Sequence, residues 1–268
     1  MIPARKVSWF NAWFSGHARS RIHATFGEVR AQGLDRARAL AKEAPLLVVS
    51  NHTSWWDPLV ALHVSTHLLG ADGHAMMDAK NLRRLPFFAL VGAFGVDLDK
   101  PTDGAVVMRY AARLLDTPGK LVWVYPQGQE RPVTERPLGF RPGSAEIARV
   151  ARMARTVPVG LRYEFGGAER PTLWLSFGEP VPAERDTTKG RAAQEEAVEA
   201  ELVRIERALS GEGAERFEVV FRAARSRVGG ALEAMLAAMT RPFVMRAPAA
   251  APPLSAGGAR SKVTSSPP

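Results

Sequence analysis

The sequence predicts an α/β protein: a mainly parallel sheet flanked by helices on both faces, with a helical lead before it and helices after it. Three observations carry this expectation. Short apolar runs alternate with longer polar or amphipathic stretches, the pattern of strands alternating with helices. One run, Leu121-Val122-Trp123-Val124-Tyr125, is apolar without a break, as suits a central parallel strand buried on both faces. With 268 residues, 46% of them apolar, the chain is long enough to bury one large core.

In order along the chain, Trp9, Phe10, Trp13 and Phe14 recur at helical spacing within residues 5–26, among Arg and His. Aromatic rings ringed by cations suit a membrane interface; the plainer alternative is a helix packed on the sheet. Residues 27–34 read as a short extended piece and 35–42 as a polar helix or loop. Leu46–Ser50 reads as a buried strand, and 58–69 as a helix carrying His63 and His67 on one face. That pair has the spacing of metal ligands, but Val64 stands where a zinc-protease helix needs Glu, so an ordinary helix face is expected. A strand is expected at 74–79, a helix around 81–92, a strand over 94–100 and a helix over 104–115. The strand at 121–125 follows, then a helix over 143–155 and strands at 157–161 and 172–177. Charged helices are expected over 189–210 and 214–240. The whole reads as one domain, 1–246: a lead to 45, a core over 46–185, and C-terminal helices over 186–246. The Ala-, Pro- and Ser-rich tail, 247–268, is expected to be disordered.

Composition excludes several classes of function. With no cysteine there is no thiol nucleophile, no disulfide framework and no thiolate-ligated zinc. The net charge of +9 favours an anionic partner. No apolar run is long enough to span a bilayer, and the first residues do not read as a signal peptide. No nucleic-acid motif accompanies the charge, so nucleic acid is not expected as a partner.

The chemistry concentrates at Asn51-His52-Thr53-Ser54-Trp55-Trp56-Asp57-Pro58, where a strand hands over to a helix. In open α/β sheets, sites gather at the carboxyl ends of strands. On a continuous helix, residues five apart are turned by about 140° from each other. His52 and Asp57 therefore meet only if the chain turns between them. Pro58 suits the first helical position, which makes Asp57 the expected cap and places His52 in the loop before it. A carboxylate bonded to the imidazole would fix its tautomer and leave the other ring nitrogen to take a proton. The bland alternative is a capping Asp and an unrelated loop His.

Asn51-His52 and Asp57 resemble the first motif of the glycerolipid acyltransferases, the lysophosphatidic-acid acyltransferase type. The likeness continues in order through Ala79-Lys80-Asn81-Leu82, Leu85–Phe88, Gly92–Phe94, Leu98-Asp99-Lys100, Tyr125-Pro126-Gln127-Gly128, Phe140-Arg141-Pro142-Gly143, Val157-Pro158-Val159 and Phe177-Gly178-Glu179-Pro180. There are departures. Lys100 replaces the Arg of the second motif. In the third, Gln127 replaces Glu, Gln129 replaces Thr, and Glu130 takes the place of Arg, with Arg131 one step later.

The resemblance implies an O-acyltransferase of lipid metabolism and phospholipid biosynthesis. The acyl donor would be a thioester, acyl-CoA or acyl carrier protein, and the acceptor a lysophospholipid such as 1-acylglycerol-3-phosphate. His52 would be the general base, held by Asp57. Lys100, Gln127, Gly128 and Arg131 would bind substrate, Lys100 and Arg131 holding an anionic headgroup. Lys is a point charge where Arg is a planar fork, so this grip would be built differently here. Backbone amides near Gly128 are one candidate for oxyanion donors. No metal and no cofactor are implied, and the protein would sit peripherally on an anionic membrane surface, at the cytoplasmic face. Two other functions share the residues: a non-catalytic lipid-binding protein on the same scaffold, and a hydrolase using the His-Asp pair with water.

Overall fold

The computed structural model describes residues 1–97 and 101–224, with Met235 and Ala238 beyond them. In chain order the elements are α1 (Ser8–Thr25), β1 (Glu28–Gln32), α2 (Leu34–Glu43), β2 (Leu46–Ser50), α3 (Asp57–His63), β3 (Asp72–Asp78), α4 (Ala79–Arg84), β4 (Ala93–Val96), α5 (Pro101–Leu114), β5 (Lys120–Val124), α6 (Gly143–Val150), β6 (Arg155–Glu164), β7 (Thr172–Phe177), α7 (Thr187–Leu209) and β8 (Glu218–Arg222). A π-helical turn, Val64–Leu68, extends α3, and 3-10 turns span Pro86–Val91 and Ala214–Arg216. All these elements lie in the first of two units, Met1–Ala223; the second is Ala224–Pro268.

The strands form one sheet in the order β4-β3-β5-β2-β6-β7-β1-β8. From β4 to β6 the neighbours are parallel, as are β7 and β1; β6–β7 and β1–β8 are antiparallel. The sheet is thus mainly parallel, as the sequence predicts. Every residue of β2 is buried. Successive strand residues point to opposite faces, so Leu46 and Val48 join Ile22, Ala37 and Val60 of α1, α2 and α3. Leu47 and Val49 join Val107, Ile147 and Val198 of α5, α6 and α7. Helices on both faces explain why β2 and β5 read as unbroken apolar runs.

Two expected helices are cut short by strands. The one over 143–155 stops at Val150, because Arg155 opens β6, its N–H donating to Pro45 O at 2.9 Å. The one over 214–240 fails at its start: residues 218–222 pair antiparallel with β1, whose edge would otherwise stand open. Beyond Ala224 only Met235 and Ala238 of that stretch are described, and both are helical; the strand end at 98–100 and the tail at 247–268 lie outside the described residues.

Candidate functional site

At the carboxyl end of β2 the chain leaves the sheet at Asn51. Its side-chain amide pairs both ways with the backbone of Leu161 on β6: Nδ2 donates to Leu161 O at 2.8 Å, and Leu161 N–H donates to Oδ1 at 2.9 Å. This pins the loop to the neighbouring strand. The loop then turns, Asp57 N–H donating to Ser54 O at 3.0 Å, and brings Asp57 back beneath His52.

His52 Nδ1 lies 2.6 Å from Asp57 Oδ2. The Asp57 side chain is fully buried, whereas that of His52 is 20% exposed. Thr53 N–H and Ser54 N–H also donate to Oδ2, at 2.8 and 3.1 Å, and the Tyr163 hydroxyl donates to Oδ1 at 2.7 Å. The other partners are donors, as a carboxylate that only accepts requires, so in the neutral imidazole Nδ1 carries the hydrogen and Nε2 the lone pair. Asp57 is not the cap the sequence suggested. Trp56 holds that position, Asp57 begins α3, and its carboxylate turns back onto the loop. Its Oδ2 is taken up by the N–H groups of Thr53 and Ser54 in the loop before the helix.

The His52 ring stacks on Tyr125 at the end of β5, 4.8 Å between centroids. The Tyr125 hydroxyl donates to Asp57 O at 3.1 Å. Burial first, then the Asp57 charge, pushes both the Tyr125 and Tyr163 phenols well above their ordinary range, so both stay protonated and donate.

Of the other predicted site residues, Gln127 is buried and its Oε1 accepts from His52 N–H at 2.5 Å. Arg131 meets the same residue from the other side, its N–H donating to His52 O at 2.9 Å. Its guanidinium turns to Glu135, 2.6 Å away, while Nε is buried without a partner. Gly128 has a left-handed backbone, φ 71°, and its N–H is spent on Tyr125 O at 3.0 Å. That amide is therefore not an open oxyanion donor. Lys100 lies outside the described residues. Sequence reasoning gave no role to Tyr125, Tyr163 or Asn51, although Tyr125 and Asn51 stood inside the quoted motifs; Tyr163 carried no signal.

An open cleft of about 320 Å³ begins at Thr53 and Ser54 and is walled by Phe26, Trp56, Val133 and Phe165, with the Tyr163 ring beside them. Its mixed polar and apolar lining suits an amphipathic substrate. No group of three or more His, Asp or Glu side chains placed to hold a metal ion occurs among the described residues. His63 is buried, and burial with nearby His67, His23 and Arg19 holds it down at about 3.

No curated protein matches this chain. Among solved structures, the crystal structure of the 1-acyl-sn-glycerophosphate (LPA) acyltransferase PlsC from Thermotoga maritima is similar in fold, with a TM-score of 0.55 and 17% sequence identity. The likeness covers 73% of this chain and 79% of that one. The family described as Acyltransferase matches residues 28–162, from β1 into β6, and so takes in the His52–Asp57 loop and the turn after β5. Since that match spans half of the chain, the protein belongs to the acyltransferase family.

Proposed function

We propose that this acyltransferase moves a fatty acyl group from a thioester, acyl-CoA or acyl carrier protein, to a hydroxyl of a lysophospholipid or other lipid acceptor. The acceptor whose chemistry fits best is 1-acylglycerol-3-phosphate. His52 is the general base. Its Nε2 takes the proton of the acceptor hydroxyl as that oxygen attacks the thioester carbonyl carbon. The tetrahedral intermediate collapses, the C–S bond breaks, and the leaving sulfur takes the proton back from the imidazolium. Ester and free thiol result, with no acyl-enzyme and no cofactor. Asp57 stabilises the imidazolium and keeps the ring aimed. Gln127 and Arg131 hold the His52 backbone, and Lys100 and Arg131 bind the acceptor's anionic group.

The observation that supports this reading is the 2.6 Å contact between a partly exposed imidazole and a fully buried, fully hydrogen-bonded carboxylate, next in sequence to Thr53 and Trp56, which line the cleft. A structural histidine would need no such investment of donors on its partner. The protein works at a membrane surface, peripherally and on the cytoplasmic face where thioesters are made. Among the described residues no helix is long and apolar enough to cross a membrane. On α1, Trp9 and Trp13 are 72% and 61% exposed, with Arg5, Arg19 and Arg21 exposed nearby in sequence.

The test is product analysis with acyl-CoA labelled in the acyl group and 1-acylglycerol-3-phosphate. Labelled diacyl ester is expected. Labelled free fatty acid alone would make the pair a water activator and the protein a hydrolase. No product with either thioester donor would leave a lipid-binding protein.

A further inference from the structure

Arg141 lies in the loop before α6. Its N–H donates to Pro126 O at 2.9 Å, which ties it to the turn carrying Gln127 and Gly128. A Cβ built on Gly128 would lie 3.2 Å from both Cζ and Nε of Arg141, so the guanidinium rests against the peptide next to Gln127, the residue that holds His52. Among the described residues this guanidinium makes no hydrogen bond and no ion pair, although the side chain is exposed. Its neighbours differ: Arg131 is paired with Glu135, Arg136 with Glu206 and Arg191 with Glu195.

The loop is nevertheless held in place. Glu199 of α7 accepts from Leu138 N–H at 3.1 Å, and Glu195 accepts from Gly139 N–H at 2.6 Å and Phe140 N–H at 3.3 Å. Two carboxylates thus fix three successive amides immediately before Arg141. The result is a positioned cation with unspent donors, beside the turn that supports His52. A guanidinium in that state matches a phosphate oxygen pair with two parallel N–H groups.

We propose that Arg141 binds the phosphate monoester of a substrate at this site, and so helps decide which substrate is accepted. The inference rests on the acyl-transfer reading for the identity of that substrate. Two substrates carry such a group: the headgroup of the acceptor, and the ribose phosphate of a CoA donor.

Titration calorimetry on the full chain separates them, with glycerol 3-phosphate and CoA as probes and Arg141→Ala, Arg141→Lys and Arg141→Gln as variants. Wild-type protein should bind at least one probe, more weakly as salt is raised. Arg141→Ala should lose roughly ten- to hundredfold in affinity for that probe, the range for a charge-assisted hydrogen bond. Arg141→Lys should lose less than Arg141→Gln. Loss confined to glycerol 3-phosphate assigns Arg141 to the acceptor; loss confined to CoA assigns it to the donor. Unchanged affinity for both probes, or no binding of either by wild-type protein, overturns the proposal. Should Arg141→Ala unfold, the Lys and Gln variants carry the comparison. Binding needs no turnover, so a protein that grips glycerol 3-phosphate through Arg141 yet forms no ester keeps this inference and fails the acyl-transfer reading.

Discussion

The Asp57 carboxylate is out of contact with water, and the hydroxyl of Tyr163 at 2.7 Å gives Oδ1 its donor. Removing one partner from a buried charged group costs more than the bond itself was worth, because the other group is left unsatisfied. Tyr163→Phe is therefore expected to lower stability by about 1–3 kcal/mol, read from urea unfolding. Turnover should fall roughly tenfold as the carboxylate loosens beneath His52. An unchanged urea midpoint would mean that the hydroxyl finds no partner in solution. Residue-scale legibility followed covalent distance. His52 and Asp57 are close in sequence, so their spacing and Pro58 were enough to suggest a meeting. Tyr163 and Arg141 reach the site only because the chain folds β6 and the loop before α6 beside it. Nothing local to Tyr163 says so, and Arg141 stood in a quoted segment without a role.

At the scale of elements, α7 lies directly on β6 where Gly160 leaves room. A Cβ there would come within 2.9 Å of Glu201 backbone carbon, an atom that cannot swing aside. Gly160→Ala is expected to cost about 1–3 kcal/mol by overpacking. It should also push back the helix whose Glu195 and Glu199 hold the loop before Arg141. Differential scanning calorimetry checks the first expectation, and a wild-type Tm would contradict the close packing. The outward aromatic face of α1 gives a second test. Trp9→Ala with Trp13→Ala should reduce co-sedimentation with anionic vesicles several-fold and leave the unfolding midpoint in place, since both rings are exposed. Undiminished sedimentation would move the membrane contact elsewhere. Deleting residues 1–26 would not serve, because Ile22 and Phe26 belong to the core. Strands with two buried faces were legible from their apolar runs. The edge strand β8 was not: Phe217, Val219 and Phe221 alternate, but among Glu and Arg the alternation is short, and it needs the open edge of β1 to become a strand.

For the whole molecule, acid stability is set by groups buried in their neutral or paired forms. His63 is held down to about 3 and His74 to about 4, burial being the main cause in both. In the unfolded chain each takes up its proton near 6.5. Between 6.5 and the folded value the unfolded state binds more protons, so stability falls as pH falls through that window. Asp72, held at about 2 by hydrogen bonds from Lys120 and Lys6 that outweigh its burial, adds stability above 3.8 that is lost as pH drops toward 2. Unfolding free energy should therefore begin to decline below pH 6.5, well above the carboxylate range. His63 alone should contribute on the order of 3 kcal/mol by pH 4. His63→Leu, which removes the titrating ring facing His23, His67 and Arg19, should flatten the decline between pH 6.5 and 4. A variant with the wild-type pH slope would contradict the buried neutral histidine. None of this could be read from the sequence, where His63 and His67 read as an ordinary helix face.

The proposed acyl transfer turns on the imidazole of His52, and the most direct measurement is the rate of ester formation by His52→Ala. The assay uses labelled acyl-CoA and 1-acylglycerol-3-phosphate, on protein whose urea midpoint matches the wild type. Loss of a general base predicts a fall of roughly 10²- to 10⁴-fold in turnover, with binding of glycerol 3-phosphate kept. A folded His52→Ala protein that forms ester at the wild-type rate would contradict the account.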